Sequence, residues 1–293
     1  MADVVVVAGP ALTIPVRRHR MTGSELAKRV ALYVVLVVGA ALMVFPFVWT
    51  IITSISPEAS LTVSPSLIPT DPSLSGYAEL FANTPFAVVV ANSLGLAVVT
   101  TVIQLFTGST AAYAFSRLQF RGRTVVFGIY LATMMIPLQV LIVPLFSELK
   151  VFGLLDSYVG VLLPSLASAF GIFLLRQAIN QVPRELDEAA TLDGAGHFRI
   201  FWTIILPNIR PALATLVVFA FMGSWNNFLW PLIVLSSPQL QTLPIALANL
   251  QGQYTTQWDV VMAGSVISIL PMLALYIFAQ KYIIQGVASS GIK

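Results

Sequence analysis

Few residues in this chain could do chemistry. Of its 293 residues only 9% are charged, two are histidine and none is cysteine. Without cysteine there is no disulfide, no thiolate metal site and no nucleophilic thiol, and the redox compartment stays open. His19 and His197 are far apart, and neither sits in the H-E-x-x-H spacing that puts two imidazoles on one helix face around zinc. No G-x-x-x-x-G-K-[ST] run is present to cradle a nucleotide phosphate, and no G-x-S-x-G elbow to present a serine nucleophile. Two kinds of constellation remain. One is a set of neutral polar side chains inside long apolar runs: Asn92, Gln104, Gln139, Asn226 and Asn227, with Trp225 beside the last pair. They can hydrogen-bond a neutral ligand, or simply tie helices together. The other is the alanine-rich acidic stretch Glu188-Ala189-Ala190-Thr191-Leu192-Asp193-Gly194-Ala195.

The elements that must position these groups are membrane spans. The chain is 57% hydrophobic with a mean hydropathy of +0.89, whereas soluble domains carry about 25% charged residues. About twenty apolar residues cross the hydrocarbon core. On that rule six spans are expected, over residues 30–55, 86–115, 124–146, 157–175, 211–234 and 260–280. The fold class is therefore all-α membrane protein, with a tail at 1–29 and a transmembrane domain at 30–293. Residues 4–8 are too short an apolar run for a signal peptide, and they precede the basic cluster Arg17, Arg18 and Arg20 instead of following it. Pro137 and Pro144 should kink the third span. Gly108, Ser109, Ala111, Ala112 and Ala114 should let the second span approach its neighbours closely. Residues 56–85 hold Pro57, Pro65, Pro69, Pro72 and Pro85 but no lysine or arginine, and read as an external loop with a short helix near 77–81.

Every lysine and arginine except Lys150 falls in the N-terminal tail, the loops after spans two and four, or the C-terminal end. The positive-inside rule places those segments, and both termini, on the cytoplasmic side. The basic pI of about 9.3 follows from this topology and implies no nucleic-acid partner. The acidic stretch lies in the cytoplasmic loop at 176–210. There Pro183 suits the first turn of a helix, Glu185, Asp187 and Glu188 complement its positive end, and Gly194 suits its left-handed stop. Leu186, Ala189 and Ala190 share one thin face, and Phe198, Phe201 and Trp202 share a second face after Gly196. Two such short helices could insert into a partner's groove or lie on the bilayer surface.

A resemblance selects between these. Glu188-Ala189-Ala190, Asp193-Gly194-Ala195, Phe201, Ile204, Leu206-Pro207 and Pro211 resemble, at full spacing, the EAA loop of binding-protein-dependent ABC importer permeases. Asn92-Ser93, the run Ala112-Tyr113-Ala114-Phe115-Ser116-Arg117, and Ser224-Trp225-Asn226-Asn227-Phe228-Leu229-Trp230-Pro231 are similar to its carbohydrate-uptake branch, as are Leu243-Pro244 and residues 249–254. The likeness is to the six-span permease typified by the maltose importer's G subunit, and it runs from about residue 30 to 293.

The resemblance implies a type I importer fold and a permease that is not itself an enzyme. Two copies of an ATP-binding subunit would hold ATP and magnesium. A sister permease would share the substrate path, and an extracytoplasmic solute-binding protein would deliver a sugar or sugar-like solute. The site would be the bacterial cytoplasmic membrane. On this resemblance Glu188, Ala189, Ala190, Asp193, Gly194, Phe201, Leu206 and Pro207 dock to the ATPase. Glu188 would be the acidic anchor and Gly194 the turn between two coupling helices. Asn92, Trp225, Asn226 and Asn227 are candidates for the translocation path, because sugars need neutral hydrogen-bonding groups and aromatic faces. Gln251, Gly252, Gln253 and Tyr254 match the loop that reaches the binding protein. A secondary carrier is the rival reading, and it is disfavoured because the spans lack the interior ionisable residues and internal repeat such carriers use. A scaffold with no transport role is a third reading, separable by whether uptake fails without the chain.

Overall fold

The computed structural model describes residues 23–57, 69, 71–251 and 257–290, and all regular structure among them is helical. The chain divides into two compact units, Met1–Val48 and Trp49–Lys293. Helix α1 (Gly23–Ser54) runs from the first into the second. Its stretch Leu26–Ser54 has a mean hydropathy of 2.6, and Leu32, Val35, Leu42 and Met43 are exposed around it, as suits a surface solvated by acyl chains. It begins at Gly23, several residues before the expected span. Lys28 and Arg29 are helical, since long basic side chains can run along a helix and keep their charges in the interface.

In the second unit, α2 (Ser75–Asn83) supplies the short helix expected near 77–81. Helix α3 (Phe86–Arg117) follows; its 32 residues give a rod of about 48 Å at 1.5 Å per residue. The third expected span is not one kinked helix. α4 (Arg123–Ala132) continues through a 3-10 turn and meets α5 (Leu138–Val151) at 99°. Pro137 forces this, because the residue before a proline is pushed out of the helical region, and Ile136 is extended at φ −90°, ψ 111°. Pro144 stays inside α5.

The fourth span is also broken. α6 (Tyr158–Leu162), with its own 3-10 turn, meets α7 (Ala169–Gln181) at 44°. Each half starts on a serine cap: Gly160 N donates to Ser157 Oγ and Gly171 N to Ser168 Oγ, both at 3.1 Å. Next come α8 (Glu185–Leu192) and α9 (His197–Ile200), a π-helical turn at Phe201–Ile205, then α10 (Leu206–Asn208) and α11 (Arg210–Trp225). The last helices are α12 (Leu229–Val234), α13 (Leu243–Leu250) and α14 (Trp258–Ser290). Among the described residues four helices are long and apolar enough to cross a membrane, or up to six if each bent pair is one span.

α3 is the centre of the second unit, packed against α7 and α11. Leu216 of α11 fills a notch made by two glycines. A Cβ built on Gly171 would lie 2.9 Å from Leu216 Cδ1, and one on Gly108 3.4 Å from Leu216 Cδ2. Where lipid removes the hydrophobic drive between helices, such close packing carries association. Tyr113, Leu175, Ile179, Phe201, Ile205 and Leu216 form one buried cluster. Phe86, Val89, Phe221, Trp225 and Leu243 form a second, and Leu96, Leu149, Val161, Trp230 and Val234 a third.

The turn between α5 and α6 is fastened to the end of α12 by one carboxylate. Asp156, at φ +52°, accepts from Ser236 N and Ser237 N at 2.9 Å and from Ser237 Oγ, while its own N–H donates to Val234 O at 2.8 Å. The Ser237 hydroxyl, then the two amides, hold the Asp156 carboxyl below its ordinary pKa of 3.8. A lowered folded-state pKa means the clamp stabilises fully above that value and is lost as pH falls through the lower folded value. Asp156→Asn, whose carboxamide presents one acceptor where the carboxylate presents two, is therefore expected to melt below wild type near neutral pH. The gap should close under strong acid. Thermal melts of the detergent-solubilised protein across pH check this.

Candidate functional site: a two-sided loop and a polar cavity

The loop at 176–210 is held by its inner side and open on its outer side. α8 begins at Glu185, two residues after Pro183, which stands just outside the helix instead of in its first turn. Arg184 O accepts from Asp187 N and Glu188 N, so the carbonyl of the cap residue starts the hydrogen-bond ladder. Glu185, Asp187 and Glu188 lie in the first turn, where negative charge offsets the unpaired amides. The helix ends as expected at Gly194. Gly194 has φ +80°, Gly194 N donates to Thr191 O at 3.0 Å, and Ala195 N donates to Ala190 O at 2.8 Å. This pair of bonds closes a Schellman turn, which needs a residue without a Cβ penalty at positive φ.

Two links tie the loop to the end of α3. Arg117 Nε pairs with Asp187 Oδ2 at 2.5 Å, with the side chains only 6% and 17% exposed. Arg117 Nη2 also donates to Val182 O at 2.7 Å. One guanidinium thus holds both α8 and the chain leading into it. The second link joins Tyr113 Oη and His197 Nδ1, 3.3 Å apart, and the Tyr113 ring meets Phe201 edge-on at 5.3 Å. Arg176 completes the corner: its guanidinium lies 4.1 Å over the Phe127 ring, and Nε donates to Phe115 O at 3.4 Å.

The outer side presents Glu188, Ala189 and Asp193, all exposed, with Leu192 90% exposed and Phe198 78% exposed. Ala190 is half-buried against the α3–α7 core. The expectation that Phe198, Phe201 and Trp202 share one face is corrected: Phe201 is buried, while Phe198 and Trp202 are exposed. Neighbouring helical residues point about 100° apart, and the surface boundary falls between Phe201 and Trp202. Leu206 is half-buried, and Pro207 sits inside α10. Its missing N–H follows the π turn, where the helix has already widened.

The four candidates for the translocation path separate in space. Asn92 holds the segment that leads into α13: Nδ2 donates to Gln239 O at 2.8 Å and Gln241 O at 3.0 Å, and Tyr158 Oη donates to Asn92 Oδ1 at 2.7 Å. Trp225 is buried, stacked on Phe221, and donates from Nε1 to Ser268 O at 3.1 Å. Asn226 is exposed. Asn227 lines a cavity of about 280 Å³ with Thr100, Gln104, Ser165, Ser168 and Ser224. Gln104 was among the neutral polar side chains the sequence placed inside apolar runs. The serines were not, because serine is too common in helix breaks to stand out. Of the candidate binding-protein contacts, Gln251 is exposed after α13, and Gly252, Gln253 and Tyr254 lie outside the described residues.

The Arg117–Asp187 pair was not readable from sequence, because the two residues stand 70 positions apart and no local pattern joins them.

Known proteins match this arrangement across its length. Residues 104–289 match the family described as binding-protein-dependent transport system inner membrane component. The chain is 37% identical over 269 residues to the arabinooligosaccharides transport system permease protein AraQ of Bacillus subtilis, covering 90% of this chain and 96% of that one. It is 35% identical over 263 residues to the lactose transport system permease protein LacG of Rhizobium radiobacter, covering 88% and 94%. Among solved structures it superposes with TM-score 0.81 and 26% identity on a chain of a bacterial ABC transporter involved in the import of the acidic polysaccharide alginate, over 90% of this chain and 99% of that one. A second alginate transporter structure, at 18% identity and TM-score 0.64, shares the fold. On these matches the chain belongs to the binding-protein-dependent transport system inner membrane component family, as a multi-pass permease subunit of an ABC importer that moves a sugar-like solute while a separate partner subunit hydrolyses ATP.

Proposed function

We propose that this permease crosses a bacterial cytoplasmic membrane six times with both termini inside, each bent helix pair counting as one span. The tail at 1–29 precedes a permease domain at 30–293. It works with a sister permease, two ATP-binding subunits carrying ATP and magnesium, and an extracytoplasmic binding protein. The solute is a sugar, in keeping with the neutral lining around Asn227 and with the sugars named for its relatives.

The observation that carries this reading is the two-sidedness of the cytoplasmic loop. Glu188, Ala189 and Asp193 face outward on helices whose inner sides are bolted to α3 through Arg117 and Tyr113. Gly194 sets the turn between them, and Phe201, Leu206 and Pro207 connect the second helix to α11. A push on the outer side therefore moves the spans. ATP closes the paired ATPases on the loop, the spans rock to open outward, and solute released by the binding protein enters between the permeases. The loop at 251–254, with Gln251, Gly252, Gln253 and Tyr254, would help dislodge it.

Glu188→Ala tests the coupling. A hydrogen bond to a charged group contributes about 1.5–3 kcal/mol when both partners are in place. Uptake in proteoliposomes should therefore fall about tenfold or more, with the protein still in the membrane and the ATPase still turning over. Wild-type uptake by this variant would sink the assignment.

A further inference from the structure

Two broken spans open onto one cavity. Span four loses its helix between Ser165 and Ala169, span five between Trp225 and Leu229, and residues of both breaks line the same 280 Å³ space beside the middle of α3. Discontinuous helices meeting at membrane depth are where transporters place substrates, because unwound backbone and polar side chains are tolerated there only around a cavity.

The lining is chemically selective. Thr100, Gln104, Ser165, Ser168, Ser224 and Asn227 supply hydroxyls and carboxamides, and no lining residue is ionisable. Much of their capacity remains open. Gln104 Nε2 donates to Ser165 O at 2.8 Å, which leaves its carbonyl oxygen to accept. Ser168 Oγ accepts from Gly171 N at 3.1 Å, which leaves its O–H to donate. Ser224 reaches Thr100 only at 3.4 Å. The Asn227 carboxamide, half-buried, has no side-chain partner among the described residues. Polar groups left unpaired against acyl chains would cost several kcal/mol each, so this cluster faces something polar.

At one side of the cavity Phe170 and Phe219 meet edge-on, ring centres 5.2 Å apart, both partly exposed. Their faces offer an apolar platform to a ring's C–H surface. Hydroxyls and amides opposite an aromatic platform fit a neutral sugar, which has a polar rim and an apolar face. An anion would enter with no cation to pair it, at a large desolvation cost. The volume lies just under the ~300 Å³ at which pockets for drug-sized ligands begin, enough for one sugar ring and not for a chain.

We propose that this cavity is a sugar subsite carried by this subunit itself, which takes one neutral monosaccharide unit of the solute in transit. This rests on the sugar-import reading above and adds where, in this chain, the sugar sits. The subunit then selects for uncharged sugars directly, whatever the sister permease contributes.

The absence of cysteine makes the test clean. A Cβ at Gly223, on the cavity wall, meets no heavy atom within 4 Å, so Gly223→Cys adds a single thiol there. Ser224→Cys is the second variant should the first not assemble. The complex, purified with its native partners, is treated with a small methanethiosulfonate, and thiols of the partner subunits are subtracted using the parent complex. Labelling is timed with and without a mixture of arabinotriose, lactose and maltotriose, and separately with sn-glycerol 3-phosphate. The sugars should slow labelling roughly fivefold at about four times Kd, since protection scales as 1 + [L]/Kd. The phosphate should leave it unchanged. If the parent complex takes up one of the three sugars and none slows labelling, the subsite is overturned while the import reading stands. Uptake of the phosphate alone overturns the neutral-sugar assignment. Uptake of none of the four overturns the sugar reading of the solute, and the subsite with it.

Discussion

Arg117→Ala is expected to reduce uptake by roughly a hundredfold, the largest effect of any single charge that touches the loop at 176–210. The change removes the cation that pairs with Asp187 and leaves that carboxylate, 17% exposed, beside an apolar core. Breaking a buried pair costs about 3–5 kcal/mol; the partial exposure of Asp187 favours the lower end, about 3 kcal/mol, or two powers of ten. The same change deletes the bond from Nη2 to Val182 O, so the approach to α8 and α8 itself come loose from α3 together. The ATPase should continue to turn over while uptake stops. Arg117→Lys should fall between, because an ammonium keeps the charge and loses the fork that reaches both partners. Replacing both members, Arg117→Met with Asp187→Leu, should restore thermal stability beyond that of Arg117→Ala without restoring uptake. Parallel uptake, ATP hydrolysis and melting measurements separate these. Wild-type uptake by Arg117→Ala would mean that the loop does not act through α3.

The apolar runs were legible in the chain because they are written in composition, and among the described residues they form four helices long enough to cross a membrane, or up to six if each bent pair is one span. Local turns were legible wherever a single residue type decides them. Gly194 at positive φ and the extended Ile136 before Pro137 are of this kind. The size of the bend at Pro137 was not legible. A proline dictates that the helix stops, while the 99° to α5 depends on where α4 and α5 find neighbours to pack on. The break at Ser165–Ser168 was missed for a similar reason. No proline stands in the gap itself, and the serine cap that starts α7 looks in sequence like any serine in a span. Phe201 shows the limit of face-counting. Three aromatics at helical spacing looked like one face until the core claimed the middle one.

The candidate site was half legible. The outward residues of the loop could be named because the spacing of Glu188, Gly194 and Pro207 is a local pattern. The inward residues could not, since Arg117 reaches Asp187 and Tyr113 reaches His197 across 70 and 84 positions. Local pattern tells what a loop presents; only the fold tells what it pushes on. α3 meets the loop at Tyr113 and Arg117, and about 30–38 Å along the helix, at 1.5 Å per residue, it holds the segment that leads into α13. There Asn92 binds Gln239 O and Gln241 O, and Ser93 Oγ accepts from Leu243 N at 2.7 Å. One unbroken helix therefore spans from the loop at 176–210 to the segment leading into α13.

The turn between α8 and α9 offers the second large effect. Gly194→Pro is expected to abolish uptake, and the reason can be isolated from bulk. A Cβ at residue 194 meets nothing within 4 Å, so a side chain there is sterically free. What the position demands is φ +80° and an N–H donated to Thr191 O. Proline fixes φ near −65° and has no N–H, so it defeats both. Asparagine tolerates the left-handed region and keeps the donor. Alanine keeps the donor but carries the left-handed penalty of about 1–2 kcal/mol. Uptake should accordingly fall in the order glycine, asparagine, alanine, proline, with asparagine near wild type and alanine reduced about tenfold. Detergent-extracted levels of all four should match if α8 and α9 fold locally and only their mutual angle is lost. A series ranked by side-chain size, with asparagine worse than alanine, would show that a partner surface fills the space at Gly194, and that contact, not backbone geometry, is what this glycine provides.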